Sequence, residues 1–327
     1  MIGSRASPLS ILPRGRVLRA AKIAFAAAVV IFIVAALVSQ WGALQEAAAS
    51  ARPRWGYIGL SCALVLANYA LLIQAWRVLL DGWGGSLGFW ESARIWTISN
   101  LGKYLPGKVW VIGSAAVMVQ ARGIPGAAAV GASVMGQLIN ILAGFVVLAA
   151  TGAGVLRVPT IGVVAIVVIG GAVLLAPPVL PSFGRLVARI TKRDIVIPRM
   201  PHSAIWVAAS ISVASWVLYG LTFRVLTLGV LSTAPGVPGL YVAIYTSSYL
   251  AGFLALIAPG GVGVREVVMA TALKGAGFGT GDAILLVVAS RIWITLLEIV
   301  PALVFLLIRP MRQKPTDAPS EVASDAR

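Results

Sequence analysis

Seven stretches of this chain, roughly 21–40, 56–80, 127–150, 159–180, 203–229, 240–258 and 283–308, are apolar almost without interruption. A helix needs about 20 such residues to cross a hydrocarbon core of roughly 30 Å. A bilayer admits only helices or closed barrels, because every backbone polar group must be bonded within the protein. Composition agrees: 59% of the 327 residues are hydrophobic and 11% are charged, against about 25% charged in ordinary soluble domains. The runs predict an all-α fold, a polytopic integral membrane helical bundle of about eight transmembrane segments.

The formal net charge of +16 would suggest nucleic acid if it lay on one soluble face. Here the basic residues gather at the ends of apolar runs, the pattern of topology determinants, and no nucleic acid partner is expected. Arg5, Arg14, Arg16, Arg19 and Lys22 precede the first run, and Arg185, Arg189, Lys192, Arg193 and Arg199 fill the loop 181–202. Arg309, Arg312 and Lys314 follow the last run. The intervening connections 41–55, 151–158 and 230–239 are poor in positive charge. The positive-inside rule therefore predicts a multi-pass protein of the cell (plasma) membrane with both termini cytoplasmic. Residues 1–19 read as a basic cytoplasmic N-terminus, 20–310 as the transmembrane domain, and 311–327 as a disordered cytoplasmic tail. Within the domain, halves 20–180 and 203–310 are joined by the basic loop.

This orientation constrains two segments that do not read as simple spans. Residues 91–122 must start and end inside, and 240–281 must start and end outside. Each is broken at a Pro-Gly pair, Pro106-Gly107 in NLGKYLPGKVW and Pro259-Gly260 in APGGVGVRE. Proline removes a backbone donor and glycine adds backbone freedom, so both end helices. The arm from Arg94 to Leu105 would rise about 18 Å as helix, too short to cross. Two re-entrant hairpins entering from opposite faces, one in each half, predict an inverted repeat of the kind transporters use.

Ionisable residues at membrane depth are costly and point to function. Arg291 and Glu298 share the last run, seven residues apart and beyond the reach of a short helical ion pair. The partner of Glu298 is expected on another element, with Lys103, Lys108 or Arg265 as the candidates. Arg94, Asn100, Lys103 and Lys108 gather around the first break. Arg265 and Glu266 follow the glycines Gly260, Gly261 and Gly263, whose free amides at a helix start suit an anion. Structural ion pairing and snorkelling to the headgroups are the competing readings. Gln137 and Asn140 share one helix face and suit interhelical hydrogen bonds. Trp41, Trp55, Trp83 and Trp90 fit an interfacial aromatic belt. Cys62 reads as a packing residue and His202 as a surface one; no metal site or cofactor is expected.

The paired motifs NLGKYLPGKVW and APGGVGVRE make the chain resemble the lysylphosphatidylglycerol synthase transmembrane-region family over roughly residues 20–310. The matching positions are Asn100, Gly102, Lys103, Pro106, Gly107, Lys108 and Trp110, then Pro259, Gly260, Gly261, Gly263, Arg265 and Glu266. The resemblance implies a flippase-like membrane domain with re-entrant elements that moves an amphiphilic lipid between leaflets. The soluble aminoacyl-transfer domain of two-domain members is not legible here, so a stand-alone member is expected. The expected partners are membrane lipids with phosphate-bearing headgroups, together with envelope-lipid biosynthesis enzymes; oligomeric state is not legible. With no catalytic head and only Glu46 and Asp282 as acids outside, the chain does not read as an enzyme. The alternatives are a membrane-embedded glycosyl- or aminoacyl-lipid transferase, and a non-transporting scaffold for envelope biosynthesis.

Overall fold

The computed structural model describes residues 53–104, 109–152, 200–255 and 259–308, with isolated positions outside these ranges. The spans expected at 21–40 and 159–180, the loop 181–202 up to residue 199, the tail 311–327 and the Pro106-Gly107-Lys108 tip lie outside the described residues.

Eight α-helices and no strands occupy the described residues. They are α1 (Trp55–Gly82), α2 (Phe89–Asn100), α3 (Val109–Gln120), α4 (Gly126–Gly152), α5 (His202–Leu231), α6 (Pro238–Leu254), α7 (Val264–Gly275) and α8 (Thr280–Leu307). Four of these, α1, α4, α5 and α8, are long and apolar enough to cross a membrane. Their boundaries fall within a few residues of the hydropathic runs. Both irregular segments are interrupted: the first already turns ahead of Pro106-Gly107, which lies outside the described residues, and the second turns at Pro259-Gly260. A 3-10 turn at Leu101–Tyr104 follows α2, and another at Pro259–Gly261 follows α6.

The order in each half is the same: a long helix, a shorter helix, a 3-10 turn, a 12-residue helix, a long helix. The halves are inverted relative to each other. The Arg54 amide at the start of α1 donates to the Gly229 carbonyl near the end of α5 at 2.8 Å. At the other end, Gly82 packs on Met200, Pro201 and Ala204. Thus α1 and α5, the first helices of the two halves, run antiparallel. Packing between the halves is exchanged in kind: α2 lies on α8, and α6 lies on α4.

Small residues make the α1–α5 contact close. Ser61, Asn68, Ala75 and Gly82 recur every seven residues on α1; Ala208, Ser215, Thr222 and Gly229 do so on α5. The contacts at both ends set a register in which Ser61 lies level with Thr222, Asn68 with Ser215 and Ala75 with Ala208. All six are buried. In a lipid solvent no hydrophobic force drives helices together, and close backbone packing of small residues takes its place.

Each break is also a place where two backbones touch. A Cβ on Gly102 would lie 2.7 Å from the Val111 amide nitrogen, across the first hairpin. A Cβ on Gly261, which has φ +69°, would lie 2.7 Å from the Gly252 carbonyl oxygen, across the second. Glycine is the residue that permits both approaches. At the open end of the first hairpin, Arg122 pairs with Glu91 and clamps the two arms.

Trp55 and Trp90 are largely exposed, as a belt requires. Trp83 departs from that expectation. It is buried and packs against Gly131 of α4, where a Cβ would lie 2.7 Å from its ring. Trp41 lies outside the described residues.

Candidate functional site

Helix α8 carries the two ionisable residues singled out by the sequence, and they straddle its middle. Two turns separate Arg291 from Glu298, about 10 Å along the axis. They therefore reach different neighbours, and each reaches one of the broken hairpins.

Glu298 is buried and takes the first hairpin. Lys103 Nζ pairs with Glu298 Oε1, and Tyr104 donates its hydroxyl proton to Glu298 Oε2 at 2.5 Å. Of the three expected partner cations, Lys103 fills the role. Lys108 lies outside the described residues, and Arg265 makes no ion pair among them. The 3-10 turn explains the geometry: by tightening the chain at the end of α2 it presents Lys103 and Tyr104 together toward α8. Pro301 stands one turn beyond Glu298. It withholds the amide that would otherwise bond the Leu297 carbonyl, which loosens α8 beside the carboxylate.

Arg291 takes the second hairpin. Its Nε stands 3.4 Å from Glu266 Oε1, and its terminal nitrogens donate to the Gly260 carbonyl at 3.3 and 3.4 Å. Glu266 also accepts the Gly263 amide at 2.6 Å and so caps α7. The capping spacing is the familiar one, with an acid at the third position of the helix holding an orphan amide at its start. The two 3-10 turns touch directly. A Cβ on Gly260 would lie 3.5 Å from the Tyr104 ring and 3.4 Å from the Arg291 guanidinium. Both 3-10 turns thus converge on the centre of α8.

A cavity of about 140 Å³ opens beside the Lys103–Glu298 pair. Ser99, Asn100 and Lys103 of the first hairpin form one side; Ser133, Gln137 and Asn140 of α4 form another; Ser212, Tyr219, Tyr249 and Glu298 complete the polar lining. Trp76 and Trp96 supply flat apolar walls, and Trp76 Nε1 donates to Ser133 at 3.1 Å. A volume of this size holds several waters or a small polar group. Gln137 and Asn140, expected to bond between helices, both line the cavity, and the Asn140 backbone carbonyl accepts the Trp216 indole N–H at 2.8 Å.

A match now decides the family. The model of the lysylphosphatidylglycerol synthase transmembrane region matches residues 20–302. The chain belongs to that family. No curated protein and no solved structure matches it. For this family member, the matched region takes in both hairpins, α8 as far as Ala302 and the whole cavity.

Of the predicted residues, Asn100, Lys103 and Glu298 meet at the cavity; Glu266 and Arg291 form the second cluster. Arg265 sits apart, stacked beneath aromatic rings. Arg94 is not in the cavity at all: it donates to the Ile308 carbonyl at 2.8 Å and ties the first arm to the end of α8. Sequence reasoning passed over Tyr104, Tyr219, Tyr249 and Ser133. A signal existed for one of them, because Tyr241, Tyr245 and Tyr249 recur every four residues on α6 and place three phenols along one face.

Proposed function

We propose that this membrane protein is a lipid flippase or lipid transporter that moves a lipid with a charged, phosphate-bearing headgroup between leaflets of the cell membrane. The observation that carries the reading is the convergence of two oppositely oriented broken hairpins on the middle of α8, each through its own ion pair, with a polar cavity beside the first. Irregular backbone at membrane depth is tolerated where protein or water satisfies it, and transporters place their binding sites at such breaks.

In this reading the phosphate enters beside Lys103, which exchanges the Glu298 carboxylate for the phosphate oxygens. Asn100 and Ser99 offer further polar contacts, and the acyl chains stay in the lipid. Glu298 neutralises Lys103 whenever the site is empty, which lowers the cost of holding a cation at this depth. The chain has no Walker-type phosphate loop, so movement runs downhill or is coupled to an ion gradient. The reading takes the chain as a transporter and not an enzyme, with both termini in the cytoplasm.

The test is leaflet exchange by the purified chain in vesicles carrying fluorescent phospholipids. Accelerated exchange by wild type, lost in Lys103→Gln, supports the proposal. Exchange at the protein-free rate for every phospholipid supplied would refute it.

A further inference from the structure

Arg265 is a buried charged residue that neither the Lys103–Glu298 cavity nor the Arg291–Glu266 pair uses. It lies in the first turn of α7 and is only 7% exposed. Its guanidinium stands over two rings at once, 5.1 Å from the centroid of Tyr245 and 5.2 Å from that of Tyr249. None of the ion pairs among the described residues includes it, and its Nη2 has no hydrogen-bond partner there. Cation–π attraction offsets only part of the desolvation of a buried guanidinium, and buried charges are ordinarily paired.

The charges around it cancel in pairs, Lys103 with Glu298 and Arg291 with Glu266. Arg265 is left over, so the centre holds one uncompensated positive charge among the described residues. Its position is informative as well. Tyr249 lines the cavity that contains Lys103 and Glu298, and the same ring carries Arg265. One aromatic side chain thus stands between an open polar cavity and a buried cation that lacks an anion.

We propose that Arg265 is a second, occluded binding site for a lipid phosphodiester, reached from the cavity when the Tyr249 ring moves aside. The inference rests on the lipid-transport reading and deepens it by assigning a headgroup class. A phosphodiester brings one negative charge, which matches the single charge left over. Its two free oxygens suit the paired donors of a guanidinium. A phosphate monoester brings nearly two charges at neutral pH and would leave the centre negative. Lysine at this position would keep the charge but lose the fork.

The experiment is calorimetric titration of the purified full-length chain in neutral detergent with dihexanoyl phosphatidylglycerol, a soluble phosphodiester lipid. Inorganic phosphate and glycerol phosphate serve as separate arms. Wild type is expected to bind the lipid, with Arg265→Gln weakening binding by about tenfold or more, the loss of one charged hydrogen-bonding partner. Arg265→Lys, which keeps the charge and guards against a folding defect, is expected to fall between the two. Tyr249→Ala is expected to speed association in stopped-flow mixing, and Tyr249→Phe to leave it unchanged. Wild-type affinity and kinetics in Arg265→Lys and Arg265→Gln alike would overturn the proposal, as would no binding by wild type. Equal binding of inorganic phosphate would overturn the lipid assignment. Leaflet exchange without Arg265-dependent binding contradicts this inference alone. Arg265-dependent binding without leaflet exchange contradicts the transport reading alone.

Discussion

Glu298 holds two groups of the first hairpin at once, a lysine ammonium and a tyrosine hydroxyl, in a place almost closed to water. Breaking one side of a buried pair leaves the other charge unpaired and costs about 3–5 kcal/mol, more than the pair itself contributes. Lys103→Met and Glu298→Gln should therefore each lower the thermal stability of the detergent-solubilised chain by about that amount. The double variant should lose clearly less than the sum, a coupling of about 1–3 kcal/mol in a thermodynamic cycle. Strict additivity would mean that the two side chains do not meet. The pairing itself was only half legible in the sequence. Hydropathy marks Glu298 as an acid inside an apolar run, and Lys103 as one of several cations around the first break. Which of three cations pairs with it depends on the 3-10 turn that aims Lys103 and Tyr104, and a turn of four residues leaves no periodic trace. Arg265 shows the same limit. Its burial under Tyr245 and Tyr249 is a relation between α6 and α7 that no local pattern encodes.

At the scale of elements, the breaks are built by glycines placed against backbone. Gly102→Ala and Gly261→Ala force a methyl to within 2.7 Å of a main-chain atom across the hairpin. Each should destabilise by about 1–3 kcal/mol, as overpacking does. Gly113 sits inside α3, and a methyl added there would meet nothing within 4 Å. Gly113→Ala should instead stabilise by about 0.5–1 kcal/mol, through helix propensity alone. Differential scanning fluorimetry of the three variants checks both signs. Stabilisation by all three would show that the hairpin arms are not in contact. The breaks were legible because proline and glycine act locally. The seven-residue ladders of small residues on α1 and α5 were not singled out, since serine, alanine, threonine and glycine dilute a hydropathic run without ending it. Trp83 misleads for a related reason: its position near a run end suggests an interface, whereas Gly131 on α4 makes room for it inside.

For the molecule as a whole, antiparallel α1 and α5 require the connections that follow them to face opposite sides of the membrane. Ser86 lies in the first and Thr233 in the second, and both are exposed. In a Cys62→Ser background, Ser86→Cys should react with a membrane-impermeant thiol reagent only from the cytoplasmic side in oriented vesicles. Thr233→Cys should react only from the outer side. Reaction of both from one side would contradict the inverted repeat. This inversion followed from the sequence by counting basic residues and spans, since charge asymmetry and membrane crossings constrain topology even where no residue-level likeness joins the halves.

In the transport reading, the site where these halves meet carries a lipid headgroup across, and one measurement decides it. It is tested most directly by leaflet exchange of fluorescent phosphatidylglycerol in vesicles containing purified wild-type, Lys103→Gln or Glu298→Gln protein. Wild type should exchange lipid well above the protein-free rate, and either variant should fall by about tenfold or more, the loss of a charged contact. Equal exchange by all three proteins, or none above the protein-free rate by wild type, would contradict it.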